Sequence, residues 1–381
     1  MKIIVAPDSF KGSISAREAA RAMAEGILDA APGSEVIQLP SADGGEGTMA
    51  ILVVATNGHI VTKQVAGPFG KPVAASFGVL GNGKTCVIEI AEASGLTLLS
   101  EAERNPERAS TEGTGELIRH ALDAGYREFI IGLGGSATND GGTGLLRALG
   151  MRFLDAAGEM LPPGAAALDE LCAIDTDSFD PRIQACRFVI ASDVDNPLVG
   201  PKGASHVFGP QKGATDEMAE ALDRKLSHYA DIVEKETGVS LRDFPGAGAA
   251  GGAGGALLAF FPAVMKRGID VVLKASGFSE SVASSDLIFT GEGKSDRQTL
   301  SGKAAFGIAQ AAADHGKPVI LLSGTIDPEC RGDLERFFNE VHAVSGGEIT
   351  VKQSMDNAYA HLRERAKEVF TAYVHHHPQR S

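Results

Sequence analysis

The chain has 381 residues, more than one hydrophobic core usually serves, so two domains are expected. Apolar residues make up 43% and charged residues 22%, which excludes a disordered chain, a coiled coil and a collagen-like repeat. Against 35 basic residues stand 49 acidic ones, a net charge of −14 with no local basic stripe, so neither nucleic acid nor a membrane is expected as a partner.

In chain order, residues 2–6 form a short buried-strand pattern. A helix follows from Ser15 to Ala30, opened by a capping box of Ser15 and Glu18, with Ala20, Met23 and Ile27 on one face. Residues 36–39 return to strand and 47–55 to helix. Three consecutive β-like runs, at 61–66, 73–80 and 85–91, are separated by Gly-Pro and Gly-Asn-Gly turns and predict an antiparallel patch. Continuous apolar runs at 129–133, 188–191, 287–290 and 319–322 have the character of buried parallel strands. Residues 217–236 predict a long helix. So do the residues after the capping box of Thr350 and Gln353, where Val351, Met355, Ala358, Leu362, Ala366, Val369 and Tyr373 share one face. Alternating strands and helices make this an α/β protein. The change of texture places an inserted domain at 67–283, inside a first domain built from 1–66 plus 284–381.

Glycine is over-represented, 47 of 381 or about 12% against roughly 7% in an average chain, and it clusters between apolar runs. Cys86, Cys172, Cys186 and Cys330 are widely spaced with no C-x-x-C pair, which predicts buried thiols rather than a disulfide framework or zinc site. Asp8 and Lys11 end the apolar start too early for a signal peptide, so a cytoplasmic location is expected. Residues 246–265 are long enough to span a membrane, but Gly, Ala and Pro262 make them a glycine-rich loop entering a buried helix.

Two short patterns match nucleotide motifs in the wrong surroundings. Residues 78–85 (GVLGNGKT) satisfy the P-loop pattern, yet a β-like run follows where a P-loop opens a helix, so a hairpin is expected. Residues 246–251 (GAGAAG) satisfy the dinucleotide fingerprint, but a polar, proline-terminated segment precedes them instead of a strand. This leaves an NAD-dependent dehydrogenase as a minor alternative, with close packing or another phosphate loop as the other readings.

Five polar-glycine clusters, by contrast, sit where strands should end: 6–13 (APDSFKGS), 40–48 (PSADGGEGT), 132–142 (GLGGSATNDGG), 191–213 and 290–303. Any one of them is ordinary turn chemistry. Together they supply backbone N–H groups, hydroxyls and lysines for anions, and carboxylates for Mg²⁺ or a proton, the ingredients of phosphoryl transfer. No G-x-S-x-G elbow or H-E-x-x-H is present, and His375–His377 are expected to be a solvated tail.

The motifs APDSFKGS at 6–13, ADGGEGT at 42–48, GGSATNDGG at 134–142, NPLVGPKGA at 196–204, FGPQKGA at 208–214, PGAGAAGG at 245–252 and GEGKSD at 291–296 resemble the bacterial glycerate kinase family, type 1. The match runs in order along nearly the whole chain. It implies a flavodoxin-like domain carrying a larger inserted α/β domain with a cleft between them, and a kinase that phosphorylates D-glycerate with ATP and Mg²⁺. The 2-phosphoglycerate product is favoured and the 3-phospho product is the alternative. A non-catalytic sugar-acid sensor is disfavoured by the retained carboxylates, and a homo-oligomer is left open. For the substrate, Ser9, Lys11 and Arg297 are candidates for the carboxylate, with Ser136, Asn139 and Asp140 beside them. Asp8, Asp140, Asp193 and Asp296 are the carboxylates suited to base or metal work. Asp193 is the first choice of base, with Lys11, Asp8 and Asp296 as the other catalytic candidates, and Glu292 and Asp296 are expected on the metal. Lys212 and Lys303, with the N–H groups of Gly44, Gly45, Gly134 and Gly135, are expected on the nucleotide phosphates.

Overall fold

A computed structural model describes residues 1–345 and 350–377. Strand β1 (Lys2–Val5) leads to helix α1 (Ala16–Ala30), whose capping box of Ser15 and Glu18 forms as expected, and then to β2 (Glu35–Gln38). Next come α2 (Thr48–Ala55) and the strands β3 (His59–Ala66), β4 (Pro72–Val79) and β5 (Thr85–Glu89). The chain continues through α3 (Ile90–Ser94), α4 (Glu112–Asp123), β6 (Glu128–Gly132), α5 (Thr143–Ala148), and the short strands β7 (Arg152–Leu154) and β8 (Ala173–Asp175). Then follow β9 (Arg187–Ala191), α6 (Ala204–Phe208), α7 (Asp216–Thr237), α8 (Ala253–Phe260) and β10 (Ala263–Lys266). The last part holds α9 (Gly268–Ala275), α10 (Phe278–Ala283), β11 (Leu287–Ser295), α11 (Ala304–Ala313), β12 (Val319–Ile326), α12 (Arg331–Leu334), β13 (Glu340–Ala343), α13 (Val351–Asp356) and α14 (Ala358–His376).

Two compact units result, Met1–Asp43 with Arg267–Ser381, and Gly44–Lys266. The boundaries differ from those expected at 66/67 and 283/284. Strand β3 pairs along its whole length with β4, and α2 packs on β4 and β5, so residues 44–66 join the second unit. Helices α9 and α10 pack on one another, and α9 also packs on α11, which draws 267–283 into the first unit.

The first unit is a five-stranded, all-parallel sheet in the order β2-β1-β11-β12-β13. Period-2 alternation buries both faces. Ile3, Val5, Phe289 and Leu322 pack with α1 and α14, while Ile4, Ile288 and Leu321 pack with α9, α10 and α11. Counted within the unit, the strand order is 2-1-3-4-5, the flavodoxin-type doubly wound order. Strand order reverses at β1, where Val5 pairs in parallel with Gln38 on one side and Phe289 on the other.

The second unit has a six-stranded sheet in the order β10-β9-β6-β5-β4-β3, parallel from β10 to β5 and antiparallel from β5 to β3. The expected antiparallel patch is its β3–β4–β5 edge. The P-loop-like residues 78–85 form the β4–β5 hairpin, where Asn82 Oδ1 accepts from the Lys84 and Thr85 N–H groups. Cys86, Cys186 and Cys330 are buried, but Cys172 is exposed, contrary to the expectation of four buried thiols. The expected C-terminal helix breaks at Asn357 (φ −128°, ψ 38°), so the stripe divides between α13 and α14. His375, His376 and His377 are exposed, as expected of a solvated tail, although α14 includes the first two and His377 stacks on Tyr373. No helix among the described residues is long and apolar enough to cross a membrane; residues 246–265 fold as turns, α8 and β10.

The dinucleotide-like glycines 246–251 turn out to be packing glycines. No strand leads into them, and a Cβ on Gly251 (φ +66°) would lie 2.1 Å from the Thr138 carbonyl oxygen. Gly251→Ala is therefore expected to destabilise the second unit by about 2 kcal/mol or more, read as a lower urea midpoint. A midpoint equal to that of the wild type would contradict this packing role.

Candidate active site

In doubly wound sheets, ligands bind beyond the carboxyl ends of the strands, at the point where strand order reverses. In the first unit that point lies between β1 and β11, and a cavity of about 300 Å³ opens there. Asp8, Ser9 and Lys11 from the loop after β1, Asp43, Glu292 of β11 and Lys303 at the start of α11 line its polar side. Two of the clusters singled out in the sequence, 6–13 and 290–303, thus meet in one place.

Asp8 is 8% exposed and Glu292 6%. The Asp8 backbone N–H donates to the Gly291 carbonyl (2.8 Å), which ties the β1 loop to β11. Its Oδ1 accepts from the Ser9 N–H at 2.6 Å. Burial first, then the neighbouring Asp43 and Glu292 charges, push the Asp8 carboxyl up to about 7, against the opposing Ser9 N–H and Lys11. Glu292 Oε1 accepts from Ser295 Oγ (2.8 Å) and Thr299 Oγ1 (2.6 Å). Burial, joined by the Asp296 charge, still holds Glu292 above the usual carboxylate range, while those bonds and Lys303 oppose it. A buried acid poised near neutrality beside ammonium groups suits proton transfer to or from an anionic ligand.

The remaining first-unit candidates sit less centrally. Asp296 Oδ1 accepts from the Gln298 N–H (2.9 Å) and Oδ2 pairs with Lys294 (3.4 Å), so both oxygens serve the 294–299 turn. Arg297 is exposed and is not part of the cavity lining.

The second unit presents a row of partners at the carboxyl ends of its parallel strands: Glu89, Gly132, Ala191 and Lys266. Glu89, buried, accepts from the N–H groups of Gly47 (3.2 Å) and Met49 (2.6 Å) at the start of α2. Burial pushes its carboxyl up to about 7 despite those bonds. Sequence reasoning passed over Glu89, although an acid within the apolar run Cys86–Ile90 was a signal; it also passed over Asp43, inside a quoted motif. Asp193 stands in the loop after β9, partly buried, and is not in the first-unit cavity. Gly44 and Gly45 pack their backbone against Gly132 and Gly134, and a Cβ on Gly134 would lie 2.5 Å from the Gly45 Cα. Gly135 completes the same loop at φ +75°.

Four second-unit candidates are interior groups, Ser136, Asn139, Asp140 and Lys212. Asp140 is fully buried and accepts from Thr111 N–H (2.8 Å), Thr111 Oγ1 (2.9 Å), Gly142 N–H (3.1 Å) and Gly144 N–H (3.2 Å). In this structure it caps the starts of α4 and α5, with no exposed surface. Asn139, also fully buried, donates to Ser205 Oγ at 2.9 Å. Lys212 is 1% exposed, and its Nζ donates to Ser136 Oγ (3.1 Å) and the Thr138 carbonyl (2.7 Å). Burial brings its ammonium down to about 7. Placed so, Lys212 fastens loop 136–138.

Fold and cavity together define a two-unit α/β protein with a charged cavity at a topological switch point. The comparisons make the class specific. The glycerate kinase family model matches residues 3–374. The chain is 48% identical over 369 residues to a glycerate kinase of Bacillus subtilis (strain 168), covering 97% of both chains. It is 42% identical over 369 residues, again 97% of both, to the glycerate 2-kinase of Escherichia coli (strain K12). A crystal structure of a candidate glycerate kinase 2 from Salmonella typhimurium LT2 superposes with a TM-score of 0.87 at 44% identity, covering 100% of this chain and 99% of that one. The chain belongs to the glycerate kinase family.

The elevated Asp8 acidity carries a sign that can be tested. A folded-state value near 7 against an ordinary 3.8 means the folded protein holds the proton more tightly. The associated stabilisation is fully present below about pH 4 and lost as pH rises through 7. Asp8→Asn should therefore melt no higher than wild type at pH 4 and measurably higher at pH 8. A variant less stable than wild type at pH 8 would contradict the burial of an ionised carboxylate.

Proposed function

We propose that the protein transfers the terminal phosphoryl group of ATP to the 2-hydroxyl of D-glycerate, giving 2-phosphoglycerate and ADP. The reading rests on family membership and on one observation of the site, the convergence of Asp8, Lys11, Glu292 and Lys303 on one cavity at the β1/β11 switch point. The relatives named as glycerate kinase and glycerate 2-kinase support the substrate and the position of phosphorylation.

The chemistry asked of these residues is modest, because phosphoryl transfer depends chiefly on positioning and charge neutralisation. Ser9 and Lys11 hold the glycerate carboxylate. Asp8 accepts the proton of the attacking hydroxyl as its oxygen bonds to the terminal phosphorus and the bond from that phosphorus to the bridging oxygen breaks. The electron pair leaves with ADP. Lys303 offsets charge on the phosphate oxygens. Among the described residues no set of three or more His, Cys, Asp or Glu is arranged to hold a metal alone. Magnesium usually needs only one or two carboxylates beside the phosphates, so Glu292, which lines the cavity, fits Mg²⁺ brought with ATP, which would supply further charge neutralisation. Asp296, the second carboxylate proposed for the metal, is engaged by the 294–299 turn in this structure. Asp193 is the second carboxylate proposed for the base.

A coupled assay with D-glycerate, Mg-ATP, enolase, pyruvate kinase and lactate dehydrogenase tests product and base together. Signal without phosphoglycerate mutase is expected, since enolase accepts only the 2-phospho product. Signal that appears only with mutase would make the protein a 3-kinase, and none with either would remove glycerate as the substrate. Asp8→Asn is expected to lower kcat by about 10²-fold or more. Near-wild-type turnover in Asp8→Asn, with collapse in Asp193→Asn, would move the base to Asp193.

A further inference from the structure

The first-unit cavity has two unlike sets of lining residues. Besides the charged groups, Val344, Val351, Met355 and Leu362 line it. Val351 and Met355 are 51% and 45% exposed, although the sequence periodicity places them on the same stripe as buried Leu362, Ala366 and Val369. The break at Asn357 explains the difference: it ends α13 one residue before α14 begins, so the first turns of the stripe leave the core. Ser13 Oγ donates to the Met355 carbonyl (3.1 Å), which fastens α13 to the loop that carries Asp8 and Lys11. An apolar group of side chains is thereby held close to the charged ones.

Glycerate does not use such an apolar group. Each of its three carbons bears oxygen, so burying it against Val351 and Met355 would desolvate polar edges without pairing them. A ligand with one flat apolar end and one polyanionic end matches both sets of lining residues. We infer that Val344, Val351, Met355 and Leu362 form the purine subsite for the nucleotide, whose phosphates run toward Lys294 and Lys303. The inference rests on the kinase reading and adds the residues that hold the base. It also takes the nucleotide's recognition away from the P-loop-like hairpin and the residues 246–251.

Titration calorimetry of the full chain with ADP, and separately with inorganic tripolyphosphate, tests the assignment. In Val351→Ser/Met355→Ser, ADP affinity should fall about tenfold or more, while tripolyphosphate affinity stays within about twofold, because only the base loses apolar surface. Met355→Leu should retain wild-type ADP affinity, which separates lost contact from a disturbed α13. The KM for ATP should rise in the double variant while that for D-glycerate stays near wild type. Unchanged ADP affinity in a folded double variant that still turns over glycerate would overturn the subsite and leave the kinase reading standing. Selective loss of ADP affinity in a protein that never phosphorylates glycerate would uphold the subsite and sink the glycerate reading alone.

Discussion

Two carboxylates, Asp8 and Glu292, sit almost out of water at the carboxyl edge of a parallel sheet, and much of the first unit exists to hold them there. Taking charge out of water is costly unless it is paired or neutralised by a proton. Here the compensation is partial. Glu292 takes hydroxyl donors from Ser295 and Thr299, and Asp8 takes one N–H from Ser9. The remainder shows as acidity shifted toward neutrality. Such a site is stable enough to fold and unsatisfied enough to welcome cationic charge and a transferable proton.

The second unit resolves its buried polar groups differently. Asp140 has four donors, and the Lys212 ammonium is bonded into loop 136–138. These contacts rigidify the glycine loop after β6 and the starts of α4 and α5. Residues that look alike in a motif therefore do different work: Asp8 faces a cavity, while Asp140 faces two helix starts. Interior side chains thus pre-organise the loops of the second unit.

Much of this was legible in the chain itself. Alternation of apolar runs marked the strands, Ser15 with Glu18 marked α1, and the β run after Thr85 exposed the false P-loop. What the pattern could not convey was direction in space. Asp140, Asn139 and Lys212 lie in polar-glycine clusters, and nothing in a one-dimensional pattern separates a loop side chain pointing to solvent from one pointing inward. Glu89 was hidden for the converse reason, being a single acid inside an apolar strand. The domain boundaries shifted because strand pairing, β3 with β4, and helix packing, α9 with α11, cross the places where composition changes. The break at Asn357 escaped notice because the apolar spacing runs through it without a glycine or proline.

The central claim is that Asp8 is a proton acceptor poised by burial among like charges. It is tested most directly by carbon-13 NMR titration of the aspartate carboxyl carbons, with Asp8 assigned by comparison with Asp8→Asn. The account predicts a midpoint for Asp8 at about 7 in the ligand-free protein. A midpoint near the ordinary aspartate value of 3.8 would mean that the carboxylate is solvated or fully paired, and the account of the site would fail.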